Sequence, residues 1–252
     1  MKIITSPAKL MTLEHGPALM RSTKPVFIDD AQVLQEELKT KTPEFLAELM
    51  DISGNLAREN WERNQYWTSN PTPKKSNQAL YAFIGEVYRG LDAKTLDKDA
   101  VNYLKKNYRI LSGLYGYLKP SDRIMLYRLE MGRKFQTKKA RDLYSFWKDK
   151  VTDELNKELS SRDLLINLAS NEYFKVLNRK EIKSKIIDFE FLELKDDKLK
   201  NITVYTKHAR GLMVRYLAIT KAKTLNEVKG FNLERYMLDE NLSTDTKLVF
   251  TR

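Results

Sequence analysis

The chain has 252 residues, 42% apolar and 31% charged, a composition typical of a soluble globular protein large enough to bury a core. The absence of cysteine excludes disulfides, thiol nucleophiles and thiolate metal sites, and the net charge of +11 favours a polyanionic partner. No apolar run approaches the roughly 20 residues that span a bilayer, and no signal-peptide core follows Met1, so we expect a cytoplasmic protein without a membrane partner.

Strand and helix signals follow one another without a regular βαβ repeat. Short apolar segments predict strands, and amphipathic segments that begin at capping residues predict helices. In chain order we expect a strand at Lys2–Thr5, a helix after Thr42 and Pro43, a helix from Asp97 to Leu111, a helix from about Arg141 to Leu159, a strand at Leu164–Leu168, a hairpin of Lys185–Leu194 and Lys200–Tyr205, a helix at Lys207–Thr220, a short helix from Thr224 to Gly230 and a strand at Leu248–Phe250. This order predicts an α+β fold, with a mixed or antiparallel sheet surrounded by helices in a single compact domain over residues 1–252.

The positive charge is concentrated in one part of the chain. Residues Tyr103–Lys150 hold 13 Lys and Arg against 4 Asp and Glu, and 9 of the 26 aromatic residues. The rest of the chain has 32 bases and 30 acids. Bases interleaved with aromatic side chains can bind phosphates and stack on nucleobases, but the same aromatic residues can also belong to the core.

Two glycines lie in the centre of this basic region. Gly113 and Gly116 follow the helix expected to end at Leu111, and Lys119 and Arg123 flank the predicted turn. Glycines at this spacing permit a tight turn between two helices and leave backbone N–H groups free to meet a phosphate. The segment therefore predicts a helix-hairpin-helix that holds a DNA backbone, or alternatively a plain helix stop.

A charged pair follows in Tyr127-Arg128-Leu129-Glu130-Met131-Gly132. Residues two apart share one face of a strand, so we expect the side chains of Arg128 and Glu130 to lie together. Either Arg128 binds a phosphate while Glu130 orients it, or the two form a structural ion pair.

Polar side chains also follow two predicted strands, at the strand ends where α/β proteins place ligands. Ser6 and Lys9 follow the first strand, at a spacing that also occurs in serine–lysine hydrolases. Asn167, Ser170 and Glu172 surround the end of a later strand, where helix capping is the alternative role.

A third group lies on the predicted helix at Lys207–Thr220. Lys207, Arg210 and Gly211 share one helical face, and a glycine inside a helix indicates the close approach of a ligand or of another helix. His15 and His208 are the only histidines, so a histidine-based zinc site is not expected, and we predict neither a metal nor a cofactor.

Eight motifs together closely resemble the YaaA peroxide-stress-resistance family. They are S-P-A-K at Ser6, A-F-x-G-x-V-Y-x-G-L at Ala82, L-S-G-L-Y-G-x-L-x-P-x-D at Leu111, Y-R-L-E-M-G at Tyr127, L-Y-x-F-W at Leu143, I-N-L-A-S-x-E-Y-F-K at Ile166, A-R-G-L-M-x-R at Ala209 and L-V-F-x-R at Leu248. They span nearly the whole chain in order. His208 departs from the pattern of many relatives, which argues against a functional role for it.

The resemblance implies resistance to hydrogen peroxide through lowered free iron and protection of DNA. It also implies an α+β DNA-binding protein with a basic cleft and a helix-hairpin-helix, and it brings no cofactor. The family motifs place these residues among the cleft candidates: Ser6, Lys9, Gly113, Gly116, Arg128, Glu130, Asn167, Ser170, Glu172, Lys207, Arg210 and Arg215.

Two functions remain open from the sequence, with direct iron sequestration a weaker third because cysteine is absent and histidine scarce. The first is binding of nucleic acid, with double-stranded DNA as the expected partner, mainly through its backbone. The second is an enzyme that acts on a nucleotide, a nucleobase or damaged DNA. A closed pocket would favour the enzyme, and an open groove would favour the binding protein.

Overall fold

The structure is a computed structural model that describes residues 1–252. Its twelve strands are β1 (Lys2–Thr5), β2 (Leu10–Met11), β3 (Asn77–Gln78), β4 (Phe83–Ile84), β5 (Tyr108–Ser112), β6 (Gly116–Leu118), β7 (Arg123–Ile124), β8 (Leu164–Leu168), β9 (Lys185–Lys195), β10 (Lys198–Lys200), β11 (Met237–Leu238) and β12 (Lys247–Thr251). Its ten α-helices are α1 (Ile28–Lys39), α2 (Pro43–Met50), α3 (Gly54–Tyr66), α4 (Ala79–Ala82), α5 (Glu86–Leu91), α6 (Lys98–Asn107), α7 (Leu143–Lys157), α8 (Asn171–Phe174), α9 (Thr203–Thr220) and α10 (Leu225–Lys229).

Eight of the strands form one mixed sheet in the order β11-β12-β9-β8-β1-β5-β6, with β10 paired to β9. The five strands from β12 to β5 run parallel to their neighbours, and β6, β10 and β11 are antiparallel at its margins. Strand β1 lies between β8 and β5, so Ser6 leaves the sheet at its centre. The α+β class and the mixed sheet are confirmed.

The central strands are apolar because they are buried in the core. Ile3 and Ile4 in β1, and Leu165 and Ile166 in β8, are fully buried. Consecutive buried positions require packing on both faces of a strand, as in parallel sheets covered by helices. These residues belong to one continuous core of 64 buried side chains. None of the helices has the length and hydrophobicity needed to cross a membrane.

The predicted helix starts agree with the structure. The Thr42 and Asp97 side chains accept hydrogen bonds from backbone N–H groups of the first turns of α2 and α6. Asp142 caps α7 in the same way. Thr224 and Glu227 form a reciprocal capping box at α10.

The helix-hairpin-helix predicted around Gly113 and Gly116 does not form at that place in the chain. Helix α6 ends at Asn107, and the next residues form β5, which turns at Gly113 and returns antiparallel as β6. The segment from Tyr108 to Leu118 is entirely buried in the sheet and core, so its backbone N–H groups are not presented to solvent. The apolar periodicity that suggested a longer helix comes from a strand buried on both faces.

The two glycines of this hairpin allow neighbouring segments to pack closely against it. A Cβ on Gly113 would lie 2.1 Å from the carbonyl oxygen of Leu129. Gly116 has φ +65°, and a Cβ there would lie 2.7 Å from the Trp147 ring. The Trp147 Nε1–H donates to the Gly113 carbonyl at 2.8 Å, which fixes the turn against α7.

The hairpin expected around Asp196 and Asp197 forms between β9 and β10, and both aspartates have the positive φ of a two-residue turn. The strand predicted at Lys200–Tyr205 is wrong beyond Lys200, because β10 ends there and α9 begins at Thr203. The β-branched and aromatic residues of this segment therefore start a helix, where tertiary packing overrides local propensity.

Gly211 permits close contact between two helices. A Cβ on Gly211 would lie 1.8 Å from the Val87 carbonyl oxygen in α5, and one on Gly90 would lie 2.2 Å from the His208 carbonyl oxygen in α9. The glycine inside the predicted helix is thus explained by another helix and not by a ligand.

We predict that Gly211→Ala separates α5 from α9 and lowers the free energy of unfolding by about 1–3 kcal/mol, because the added methyl meets backbone that cannot move aside. Urea unfolding followed by circular dichroism measures the change. Gly54→Ala is the control, since nothing lies within 4 Å of a Cβ at this first residue of α3. Equal midpoints for Gly211→Ala and the unsubstituted protein would contradict the close helix contact.

Candidate functional site

A pocket of about 530 Å³ opens at the carboxyl edge of the central strands. Ser6 follows β1 and Ser170 follows β8, and these parallel neighbours are in register from Lys2 to Thr5. The Ser170 backbone N–H donates to Ser6 Oγ at 2.9 Å, and Ser6 Oγ–H donates to Ser170 Oγ at 3.1 Å. The two serines therefore join the strand ends at the base of the pocket.

The segment after β7 supplies one wall. Arg128 and Glu130 lie in an extended stretch outside the sheet, and the Arg128 Nε and Nη2 groups donate to Glu130 Oε1 at 3.2 and 3.1 Å. Leu129, between them, rests on Gly113. The expected Arg128–Glu130 pair is present, although no strand forms there.

Glu130 is the centre of a group of positive charges. Its Oε1 lies 3.1 Å from Arg128, 3.8 Å from Lys9 Nζ and 3.9 Å from Arg133. Its Oε2 is buried and accepts no hydrogen bond. One carboxylate thus faces three cations, and the group has an excess of positive charge at the pocket wall.

Helix α9 supplies the opposite wall through Lys207 and Arg210. No carboxylate lies within salt-bridge distance of either side chain. The Arg210 Nε–H is buried and donates no hydrogen bond, and this burial lowers the pKa of its guanidinium. A guanidinium without a counter-charge in a partly dry environment is costly, and the cost is offset when an anion binds to it.

Three tyrosines contribute to the pocket. Tyr88, Tyr127 and Tyr173 line it and are almost completely buried. Burial raises the pKa of each phenol, so all three rings are neutral at physiological pH. The Tyr88 hydroxyl donates to the Ser6 carbonyl at 3.0 Å, which ties α5 to the end of β1.

Glu172 and the start of α5 complete the lining. Glu172 Oε1 accepts from the Gly132 N–H at 2.9 Å, and the Glu86–Arg89 pair spans 2.8 Å. Five Lys and Arg side chains and three Glu side chains line the pocket, so its net charge is positive. Across the whole chain, no three His, Asp or Glu side chains are close enough together to hold a metal ion.

The structure brings eight of the fourteen residues predicted for the site into this pocket. They are Ser6, Lys9, Arg128, Glu130, Ser170, Glu172, Lys207 and Arg210. Gly113 lies against Leu129 of the pocket wall, and Gly116 packs on Trp147 outside the lining. The other four lie elsewhere.

Lys119 and Arg123 are remote from the pocket. Lys119 Nζ lies 4.0 Å from Glu158, which also pairs with Lys2 at the amino end of β1. Arg123 donates to the hydroxyls of Ser22 and Ser76. Both positions depended on the predicted helix-hairpin-helix, which the structure replaces with a strand hairpin.

Asn167 and Arg215 hold the fold together. Asn167 Nδ2 donates to Asp188 at 2.8 Å, and so joins β8 to β9. Arg215 Nη1 donates to the Leu91 and Asp92 carbonyl oxygens and so closes the carboxyl end of α5.

Sequence reasoning missed two parts of the site. The first is the start of α5, with Glu86, Tyr88 and Arg89, although its motif was part of the family resemblance. The second is the tyrosine lining. Eight of the nine aromatic residues in the basic region Tyr103–Lys150 are buried, so they form core, and Tyr127 alone of these lines the pocket.

These observations define a class of protein: an α+β protein with a cation-rich, tyrosine-lined pocket at the carboxyl edge of a mixed sheet. Residues 1–242 match the family described as peroxide stress protein YaaA. A UPF0246 protein of Flavobacterium johnsoniae is 47% identical over 252 residues, the full length of both chains, and one of Marinomonas sp. is 43% identical over all of this chain and 97% of its own. The chain belongs to this family.

We predict that Glu130→Gln lowers the free energy of unfolding by about 2 kcal/mol, because Arg128, Lys9 and Arg133 then repel one another without a shared carboxylate. Urea unfolding at neutral pH measures the loss. Glu59→Gln is the control, since Glu59 pairs with Arg63 on the exposed face of α3 and should change stability by less than about 0.5 kcal/mol. Equal effects of the two substitutions would show that Glu130 does not balance the cations.

Proposed function

We propose that this protein acts in the response to hydrogen peroxide by binding nucleic acid, with one nucleotide of the bound strand in the pocket. The description of its family supports the peroxide role. The observation that carries the binding proposal is Arg210, a half-buried side chain whose Nε–H is buried without a hydrogen-bond partner, in a pocket with excess positive charge. Arginine binds phosphate groups, like carboxylates, through paired N–H donors.

The neutral tyrosines favour a nucleotide over an inorganic anion. The small exposed parts of Tyr88, Tyr127 and Tyr173 add apolar surface to the pocket beside its cations, and a nucleobase can pack on such surface. The volume of about 530 Å³ lies in the usual range for small-ligand sites. A ligand with a phosphate at one end and a planar base at the other matches both features.

We predict that Arg210→Gln weakens binding of a fluorescein-labelled DNA duplex and of a deoxynucleoside monophosphate by roughly 10- to 100-fold, the equivalent of one charge-assisted contact. Fluorescence anisotropy for the duplex and calorimetry for the nucleotide give the affinities. Affinity for the duplex should also fall steeply with salt, because bound cations displace counterions from the DNA.

Arg141→Gln is the matched control. Arg141 belongs to the basic region, but its side chain is 86% exposed outside the pocket. If the loss from Arg141→Gln equals that from Arg210→Gln, binding is diffuse and the pocket is not its centre. Duplex binding that is absent at low salt would refute the proposal.

Catalysis on a bound nucleotide is the second candidate, because the polar residues converge in a pocket and do not spread along a groove. Lys9 and Lys207 are its candidate nucleophiles, yet the Lys9 side chain is 61% exposed, and Lys207 is exposed as well. An activated lysine nucleophile generally requires a desolvated or strongly cationic environment.

Under the binding proposal, Lys9→Ala combined with Lys207→Ala reduces affinity and changes nothing else. Incubation of the unsubstituted protein with damaged duplexes and nucleotide mixtures, followed by chromatography, should yield no product. A product formed by the unsubstituted protein and lost in the double variant would establish the enzyme instead.

A further inference from the structure

An exposed apolar pair lies at the mouth of the pocket. Leu10 in β2 and Ile84 in β4 face each other across a two-residue antiparallel ladder. Their exposed fractions are 64% and 44%, and both side chains line the pocket. These two aliphatic side chains form a small apolar surface at the ligand site, on which an apolar surface of a partner can pack.

Cations flank this pair. Lys9 directly precedes Leu10, and Arg89 lies in α5, five residues after Ile84, with 61% and 69% of the Lys9 and Arg89 side chains exposed. A nucleic-acid backbone bound by these cations would place its base stack, and not its phosphates, against the two aliphatic side chains. This charge pattern identifies the apolar partner surface as stacked bases.

The depth of the pocket adds a geometric requirement. The pocket is a concavity of about 530 Å³, so a base that remains paired inside a duplex cannot enter it. A base enters such a pocket only when its nucleotide rotates out of the stack. Aliphatic side chains inserted between base steps stabilise such openings in other DNA-binding proteins.

We propose that the Leu10–Ile84 ladder acts as a wedge that enters the duplex where one nucleotide has left the stack, while that nucleotide occupies the tyrosine-lined pocket. This inference rests on the proposed function and specifies its partner as duplex DNA with an extruded nucleotide. The wedge fills the gap in the stack, and the flanking cations Lys9 and Arg89 hold the backbone on either side of it.

The test uses a duplex with a central 2-aminopurine, whose fluorescence is quenched in the stack and rises when the base leaves it. Saturating amounts of the full-length protein at low salt should raise this fluorescence. Leu10→Ser combined with Ile84→Ser should abolish the rise and weaken binding by roughly tenfold, as expected for the loss of the apolar surface that the two side chains bury. Leu194→Ser is the matched control, because Leu194 is 63% exposed and lies outside the pocket lining.

The outcomes separate the two proposals. A rise that persists in Leu194→Ser and is lost in the double variant supports the wedge. Tight duplex binding without a rise in fluorescence overturns the wedge and leaves the proposed function intact, as does a rise that the double variant retains. Failure of the unsubstituted protein to bind the duplex overturns the proposed function together with the wedge.

Discussion

The backbone contact between α5 and α9 is the constraint on which the pocket depends. Gly211 and Gly90 allow the two helices to approach until a Cβ would collide with the opposing carbonyl oxygen. At this distance the Tyr88 hydroxyl reaches the Ser6 carbonyl, and Arg210 faces the strand ends. If α5 and α9 were farther apart, Lys207 and Arg210 on α9 would lie farther from the serines at the strand ends. The positions of the charges in the site therefore depend on the close packing of these two helices.

Local signals in the sequence were sufficient for much of the fold. The strands at Lys2–Thr5 and Leu164–Leu168 have the predicted bounds, and the caps at Thr42, Asp97 and Thr224 start helices as expected. These features depend on residues within one turn or one strand of each other. The predictions failed where packing between distant segments determines the structure. The apolar pattern predicted a helix as far as Leu111, but the segment Tyr108–Leu118 is buried on both faces and forms the hairpin of β5 and β6.

The residues of the candidate site also separate into those that local sequence signals predicted and those that they did not. The motifs that follow strand ends pointed to Ser6 and Ser170, and these two residues lie together because parallel strands bring their carboxyl ends together. The tyrosine surface was not predictable, since Tyr88, Tyr127 and Tyr173 come from three distant segments that only the core assembles. Lys119 was placed in the site because it flanks the predicted helix-hairpin-helix turn, and position in the sequence does not report which end of a strand a residue occupies.

The unpaired guanidinium of Arg210 has a thermodynamic consequence for the protein without ligand. The folded chain carries an electrostatic cost that the unfolded chain, with its arginine in water, does not. Any anion that fits beside Arg210 therefore binds the folded state selectively and shifts the unfolding equilibrium towards it. The melting temperature therefore rises with ligand affinity and concentration, and a library of phosphorylated metabolites can be ranked by its shift at one fixed concentration without knowledge of the natural ligand.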